Sequence, residues 1–257
     1  MPLILGTNSI KDTGYNVANS LRFNSASSDN LSLTFAGSGD KRNWTFSTWF
    51  KRSALGVRQV LFGTQASGSN YGVIGFRDTD KLHVENDLGD STGVDVKTDM
   101  LFRDISAWYH LVVSYKGNQS TASNRMDVYV NGVEVDITVT YTGGAGDGYM
   151  NTNVSHLIGG RGQENDNFFD GYMAETFFVP GDSTLTPTDF GEFDDDSGIW
   201  KPKKVSGLTF GTNAFQLEYQ ESGTSQNSSG LGADTSGQGH HFAVNNLTAI
   251  DQSTDTC

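Results

Sequence analysis

The chain has 257 residues, near the upper limit for a single hydrophobic core, and sets 17 Lys and Arg against 30 Asp and Glu for a formal net charge of −13. A field of that sign repels phosphate backbones and anionic lipid, so neither nucleic acid nor a membrane surface is an expected partner. The hydrophobic fraction is 35%, there are 31 Gly, and the only Cys stands at position 257, which excludes an internal disulfide and describes a turn-rich protein held by packing.

In chain order, residues 1–19 are polar, with Gly6 and Gly14, and read as an N-terminal arm that builds no core face. Met1-Pro-Leu-Ile-Leu-Gly6 has neither the basic start nor the long apolar segment of a signal peptide, and no stretch approaches the ~20 apolar residues of a membrane helix. Strand patterns begin at Leu21-Arg-Phe-Asn24 and Leu31-Ser-Leu-Thr-Phe35. They continue at Trp44 to Lys51, Val60 to Gly63, Gly72 to Arg77, Lys81 to Glu85, Trp108 to Tyr115 and Met126 to Val130. Asn131-Gly132 is the signature of a type I′ hairpin turn, after which Val133 to Val139, His156 to Ile158 and Tyr172 to Val179 complete the series. This regular spacing, without a 3.6-residue stripe, predicts an all-β antiparallel sandwich over residues 20–180. Beyond it, residues 181–257 form an extension that contributes strands and long loops. Thr186 and Pro187 mark the start of a short helical turn, Phe215 to Tyr219 alternates like a strand, and Ser222 to Gly239 reads as a loop.

The order of Asn43-Trp-Thr-Phe-Ser-Thr-Trp-Phe-Lys51, Trp108 to Tyr115, the Asn131-Gly132 hairpin, Leu157-Ile-Gly-Gly160 and Phe169-Asp-Gly-Tyr-Met-Ala-Glu-Thr-Phe-Phe178 resembles the laminin-G-like and pentraxin-like branch of the concanavalin A-type jelly rolls. A narrower resemblance joins Ser20 to Asn24 and Trp44 to Arg52 with Leu231-Gly-Ala-Asp-Thr-Ser-Gly-Gln-Gly239 and Phe242 to Gln252. It is to structural proteins of marine tailed bacteriophages. The two resemblances imply a non-enzymatic virion component, a fibre or capsid decoration. It would be made in the host cytoplasm and located on the virion, with a lectin-like jelly roll for assembly or attachment to a host-surface glycan. Other virion proteins and further copies of the chain, a trimer favoured, are the implied partners. The alternative is a free, pentraxin-like, calcium-dependent carbohydrate-binding protein. Polar arms of this composition need a surface to hold them, either their own sandwich or a neighbouring subunit.

Catalysis is not expected. Related jelly-roll hydrolases place paired carboxylates along one strand; Glu134-Val-Asp136 begins that way, but Thr138 and Val139 stand where the second Glu is needed. Glu192-Phe-Asp-Asp-Asp196 reads as a solvated loop, and no Gly-X-Ser-X-Gly elbow, HExxH or Cys cluster is present. No cofactor is required. The pentraxin-like resemblance implies one metal, calcium, on Glu164, the Asn165 carbonyl and Asp166, with Asn70 as a further ligand from an earlier loop; a neutral Asn there implies millimolar affinity. Trp49, Trp108, Tyr149 and Trp200 are candidates for an aromatic sugar platform or for packing.

Overall fold

The structure of the protein, a computed structural model, describes residues 15–162 and 167–257. Its strands are β1 (Ser20–Phe23), β2 (Asn30–Thr34), β3 (Asn43–Arg52), β4 (Gln59–Ser67), β5 (Asn70–Phe76), β6 (Lys81–Leu88), β7 (Thr92–Leu101), β8 (Tyr109–Lys116) and β9 (Met126–Val130). Then come β10 (Val133–Glu134), β11 (Ile137–Thr142), β12 (Ser155–Ile158), β13 (Gly171–Pro180), β14 (Gly191–Phe193), β15 (Trp200–Pro202), β16 (Phe215–Leu217), β17 (Ala243–Asn245) and β18 (Gln252–Ser253). The first sheet runs β10-β9-β8-β3-β13-β1-β18, with β16 also on β13; the second runs β11-β7-β6-β5-β4-β12-β2-β17. The expected all-β antiparallel sandwich is the architecture observed.

Alternation on β3 explains the core. Trp44, Phe46 and Phe50 point inward and are fully buried, and Phe46 stacks on Phe62 of the opposite sheet at 5.2 Å between ring centroids. The β9–β10 turn has φ of 49° at Asn131 and 82° at Gly132, as a type I′ hairpin requires. Gly132 is doubly constrained, since a Cβ there would lie 2.5 Å from the Trp200 ring. The short helical turn forms at Pro187–Asp189, with Thr186 and Asp189 in a capping box.

Two expectations change. The single strand from Val133 to Val139 is two strands in different sheets: Val135 N–H still bonds Val128 O on β9, and the Asp136 carbonyl then accepts from Asp99 N–H on β7. This is a corner of the sandwich, invisible to an alternation that carries straight through it. Second, β7 is a full strand where none was predicted. Its inward residues Val94, Val96 and Thr98 alternate with Asp95, Lys97 and Asp99, types depleted in strands, so the pattern is present but muted.

The two outer faces are treated differently. That of the first sheet is covered: Val112 and Phe177 pack under Phe190, Leu185, Val205, Leu208 and Phe210, while Trp49 and Ala174 pack under Val17 and Trp200. The described part of the tail turns back on its own sandwich, β17 pairing with β2 and β18 with β1. Of the two surfaces expected to hold the polar arms, the described tail uses its own sandwich; residues 1–14 of the arm lie outside the described residues.

At one end Arg52, its side chain fully buried, donates to Asp80 Oδ1 (3.2 Å) and to the Phe102 carbonyl (2.7 Å) and lies over the Phe76 ring at 4.3 Å. Asp80 also accepts from Gly56 N–H (2.8 Å) and Arg103 Nε (3.1 Å), so one carboxylate ties three segments together. Replacing Arg52 with Met leaves Asp80 charged and poorly compensated, and a loss of about 3–5 kcal/mol in urea unfolding is expected. Pairing it with Asp80→Leu should recover part of that loss.

Candidate functional site

The outer face of the second sheet is built by the alternate residues of its strands, brought side by side by register. Tyr71 on β5 stands beside Asp87 on β6, Val73 beside Glu85, and Glu85 beside Asp95 on β7. Across β4 and β12 the face continues through Gly63 and Leu157 to Ser32 on β2. Gly63 is required here because the backbone of Gly160 and Arg161 crosses directly above it, 3.0 Å from where a Cβ would sit.

Three hollows lie on this face and join at shared walls. The first, about 290 Å³, is lined by Arg58, Arg77, Arg161, Glu85, Tyr71 and Gln65. Gln65 is also a wall of a second hollow of about 360 Å³ with Val154 and Ser155. Ser155 is in turn a wall of a third, about 640 Å³, with Asn30, Ser32, Leu157 and Asn245. The three hollows form a row, termed the trough, that runs from β6 to β17. Crossing six strands at the ~4.8 Å inter-strand spacing gives it a length of roughly 24 Å.

At the first end of the trough Glu85 is buried under two guanidinium groups. Arg58 Nη2 donates to Oε2 (3.0 Å), and Arg77 Nε (2.9 Å) and Nη2 both donate to Oε1. Asp95 Oδ2 accepts the Tyr71 hydroxyl (3.1 Å) and Oδ1 accepts Asn86 N–H (3.0 Å). Burial, then the negative charge of Glu85, pushes the Asp95 carboxyl up to about 7. Burial and the facing Asp95 also push the Tyr71 phenol well above its ordinary range. Opposite the trough, Asn245 Nδ2 donates to Asn30 Oδ1 and Ser32 Oγ, both at 2.9 Å, so the third hollow is floored by an amide and hydroxyl ladder.

Of the four residues expected to hold calcium, Glu164, Asn165 and Asp166 lie outside the described residues. Asn70 opens β5, next to the trough, where its Nδ2 donates to Ser67 Oγ (3.0 Å). Among the described residues no group of three or more His, Cys, Asp or Glu is placed to hold a metal ion. Three of the four aromatic candidates are core: Trp49, Tyr149 and Trp200 are 4%, 8% and 8% exposed. Trp108 is half-buried and its Nε1 donates to Asp255 Oδ1 (3.2 Å). Trp200 Nε1 donates to His110 Nδ1 (3.1 Å), which leaves the proton on Nε2 facing Ser47 Oγ at 2.9 Å. Burial brings His110 down to about 3, so this Ser–His–Trp series is a neutral structural network. Glu134 is exposed on the two-residue edge strand β10, away from any partner carboxylate strand. Sequence reasoning passed over Tyr71, Arg58, Arg77, Arg161, Glu85 and Asp95. The alternation of Glu85-Asn-Asp87 and Asp95-Val-Lys97 was the signal that they share one face.

Antiparallel strands in two packed layers define a jelly-roll type of β-sandwich. A family model described as the concanavalin A-like lectin/glucanases superfamily matches residues 24–184, and the chain belongs to that family. Among solved structures it is similar to a candidate carbohydrate-binding protein of Bacteroides ovatus, with 15% identity and a TM-score of 0.61, covering 94% of this chain and 61% of that one. The chain therefore spans about three-fifths of that protein's length. It is also similar to the heptameric SAP-like pentraxin of Limulus polyphemus, with 12% identity and a TM-score of 0.51, covering 79% of this chain and 96% of that one. Domains LG4-5 of the mouse laminin alpha1 chain align at 13% identity with a TM-score of 0.48, over 84% of this chain and 51% of that one. No curated protein matches the sequence.

Asp95 supplies a test of the site's electrostatics. Its carboxyl titrates near 7 in the folded chain and near 3.8 when unfolded, so the folded state binds the extra proton between those values and stability falls as pH rises through that window. Asp95→Asn removes this dependence while keeping an acceptor for Tyr71. Denaturant unfolding should show the variant close to wild type at about pH 4 and more stable than it, by about 2 kcal/mol or more, at about pH 8.

Proposed function

We propose that the chain is a non-catalytic carbohydrate-binding domain whose ligand face is the trough on the second sheet. The observation that carries this reading is the row of three polar hollows, adjacent ones sharing Gln65 and Ser155 as lining residues. A polar trough of that length suits an oligosaccharide of several units lying across the strands. Tyr71 offers a half-buried ring for a pyranose face, and the Asn30, Ser32 and Asn245 ladder offers donors and acceptors for hydroxyl groups. Membership of a lectin and glucanase family is consistent with the same ligand class.

The arrangement favours binding over hydrolysis. Both oxygens of Glu85 are engaged by guanidinium groups, and Glu134 lacks a second carboxylate on its strand. A neutral Asp95 alone offers a proton but no partner nucleophile. Incubation with laminarin, agar and alginate oligosaccharides should release no reducing ends. Binding to an oligosaccharide array should be measurable and should weaken about tenfold in Tyr71→Ala, the loss of one stacking ring. Array binding that is unaffected by Tyr71→Ala and Ser155→Trp together would remove the trough from consideration.

Calcium belongs to the proposal through Asn70, Glu164, Asn165 and Asp166, with oxygen ligands only and affinity in the millimolar range. Titration calorimetry with calcium on wild type and Glu164→Gln tests it. A place on a phage particle, as fibre or decoration, rests on the resemblance of the two sequence ends. The described tail supports instead a self-contained, free lectin-like domain, because β17 and β18 close edges of their own sandwich. Light scattering separates the two: a stable trimer favours the particle component, and a monomer favours the free domain.

A further inference from the structure

The charge of the trough is uneven in a way that the overall composition opposes. The chain carries eight Arg, and three of them, Arg58, Arg77 and Arg161, line the single hollow at the Tyr71 end. Elsewhere in the fold Arg52 binds Asp80 and the Phe102 carbonyl, and Arg125 the carbonyls of Gly93, Gly143, Gln119 and Ser120. In a molecule of net charge −13, three guanidinium groups line this one hollow, two of them bonded to Glu85, with Asp87 and Asp95 on the adjoining strand positions.

The geometry of the pair on Glu85 is that of a prepared receptor. Arg58 precedes β4 and Arg77 follows β5, and the Gln59–Phe76 pairing sets the two side by side. Glu85, 4% exposed in its side chain, sits beneath them and takes Arg77 through Nε and Nη2. The Arg77 side chain is still 36% exposed, so its outer edge faces the hollow. A carboxylate fixing two guanidinium groups from below removes rotamer freedom that an incoming ligand would otherwise have to quench. Planar guanidinium forks match the oxygen spacing of carboxylate and sulfate groups, and they hold such groups by charge-assisted hydrogen bonds.

Resting on the reading of the trough as a glycan face, we infer that its Tyr71 end is a subsite for a negatively charged sugar unit, one bearing a carboxylate or a sulfate ester. Arg77, with Arg58 and Arg161, takes the anionic group, and the Tyr71 ring packs on the sugar, its hydroxyl anchored to Asp95. The amide and hydroxyl ladder at the far end takes neutral units of the same chain. The protein's overall negative charge then acts against polyanions in general and confines their binding to this point.

The test uses the full chain and three immobilised polymers: polygalacturonate for the carboxylate, a carrageenan for the sulfate and a neutral galactan. One acidic polymer should bind at least about tenfold tighter than the galactan, with the advantage shrinking between about 0.05 and 0.5 M salt as screening increases. Which polymer prevails identifies the anionic group. Arg77→Ala should reduce acidic-polymer binding about tenfold and leave galactan binding unchanged, with Arg77→Lys intermediate because it keeps charge and loses the fork. Arg161→Gln provides a second variant should Arg77→Ala melt at a lower temperature than wild type. Equal affinity for acidic and neutral polymers, or equal loss on both in the variants, overturns the acidic subsite and leaves the glycan face standing. Absence of binding to all three, together with a blank oligosaccharide array, overturns both.

Discussion

A two-layer sandwich has two outer faces, and among the described residues apolar segments pack over that of the first sheet. Everything distinctive about the molecule follows from that asymmetry. The outer side of the first sheet carries Trp49, Val112, Ala174 and Phe177, which would be an apolar patch in water, and the segments around Val17, Phe190, Trp200 and Leu208 bury it. The outer side of the second sheet alternates instead to Tyr71, Glu85, Asp95, Lys97 and Ser32, and its buried acids Glu85 and Asp95 are partnered by arginine and tyrosine side chains. Packing thus distinguishes the two faces: apolar segments seal the first, and polar side-chain pairs build the second.

The same economy governs the edges. An unpaired strand edge invites association with another chain, and the tail supplies β17 and β18 to two such strands. At the other ends the first sheet terminates in the two-residue β10. The second terminates in β11, whose residues alternate between half-buried and exposed and whose bulge between Val139 and Tyr141 breaks the ladder. Short, bulged and self-capped edges suit a domain that presents a face to its ligand.

How much of this is legible in the sequence depends on the range of the interaction. Alternation is local, so β3, β8 and β13 are readable from Trp44, Leu111 and Phe177 and their neighbours, and the Asn131-Gly132 turn is readable because only positive φ explains that dipeptide between strands. The corner at Val135 and Asp136 is not, since one strand pattern continues across it. β7 is obscured by Asp95, Lys97 and Asp99, the same residues that give the open face its character. Functional polarity and strand legibility compete there. The site is harder still. Arg58, Arg77 and Arg161 are separated in the chain by 19 and 84 positions and meet only because β4 lies between β5 and β12.

The arginine-bracketed glutamate also bears on catalysis in a fold shared with glucanases. Hydrolysis needs one carboxylate accessible as nucleophile or base and a second positioned as acid. Here the register does place two carboxylates side by side, Glu85 and Asp95. Glu85 has both oxygens taken by guanidinium groups, and Asp95 has one oxygen under the Tyr71 hydroxyl and the other on a backbone N–H. Each acid is tied to the wall it stands in. Freeing Glu85 would expose an anion beside Asp95 and deprive two arginines of their counter-charge, so the network resists the conversion on both sides. What remains exposed at this end of the face is the outer edge of the Arg77 guanidinium and the partly exposed Tyr71 ring.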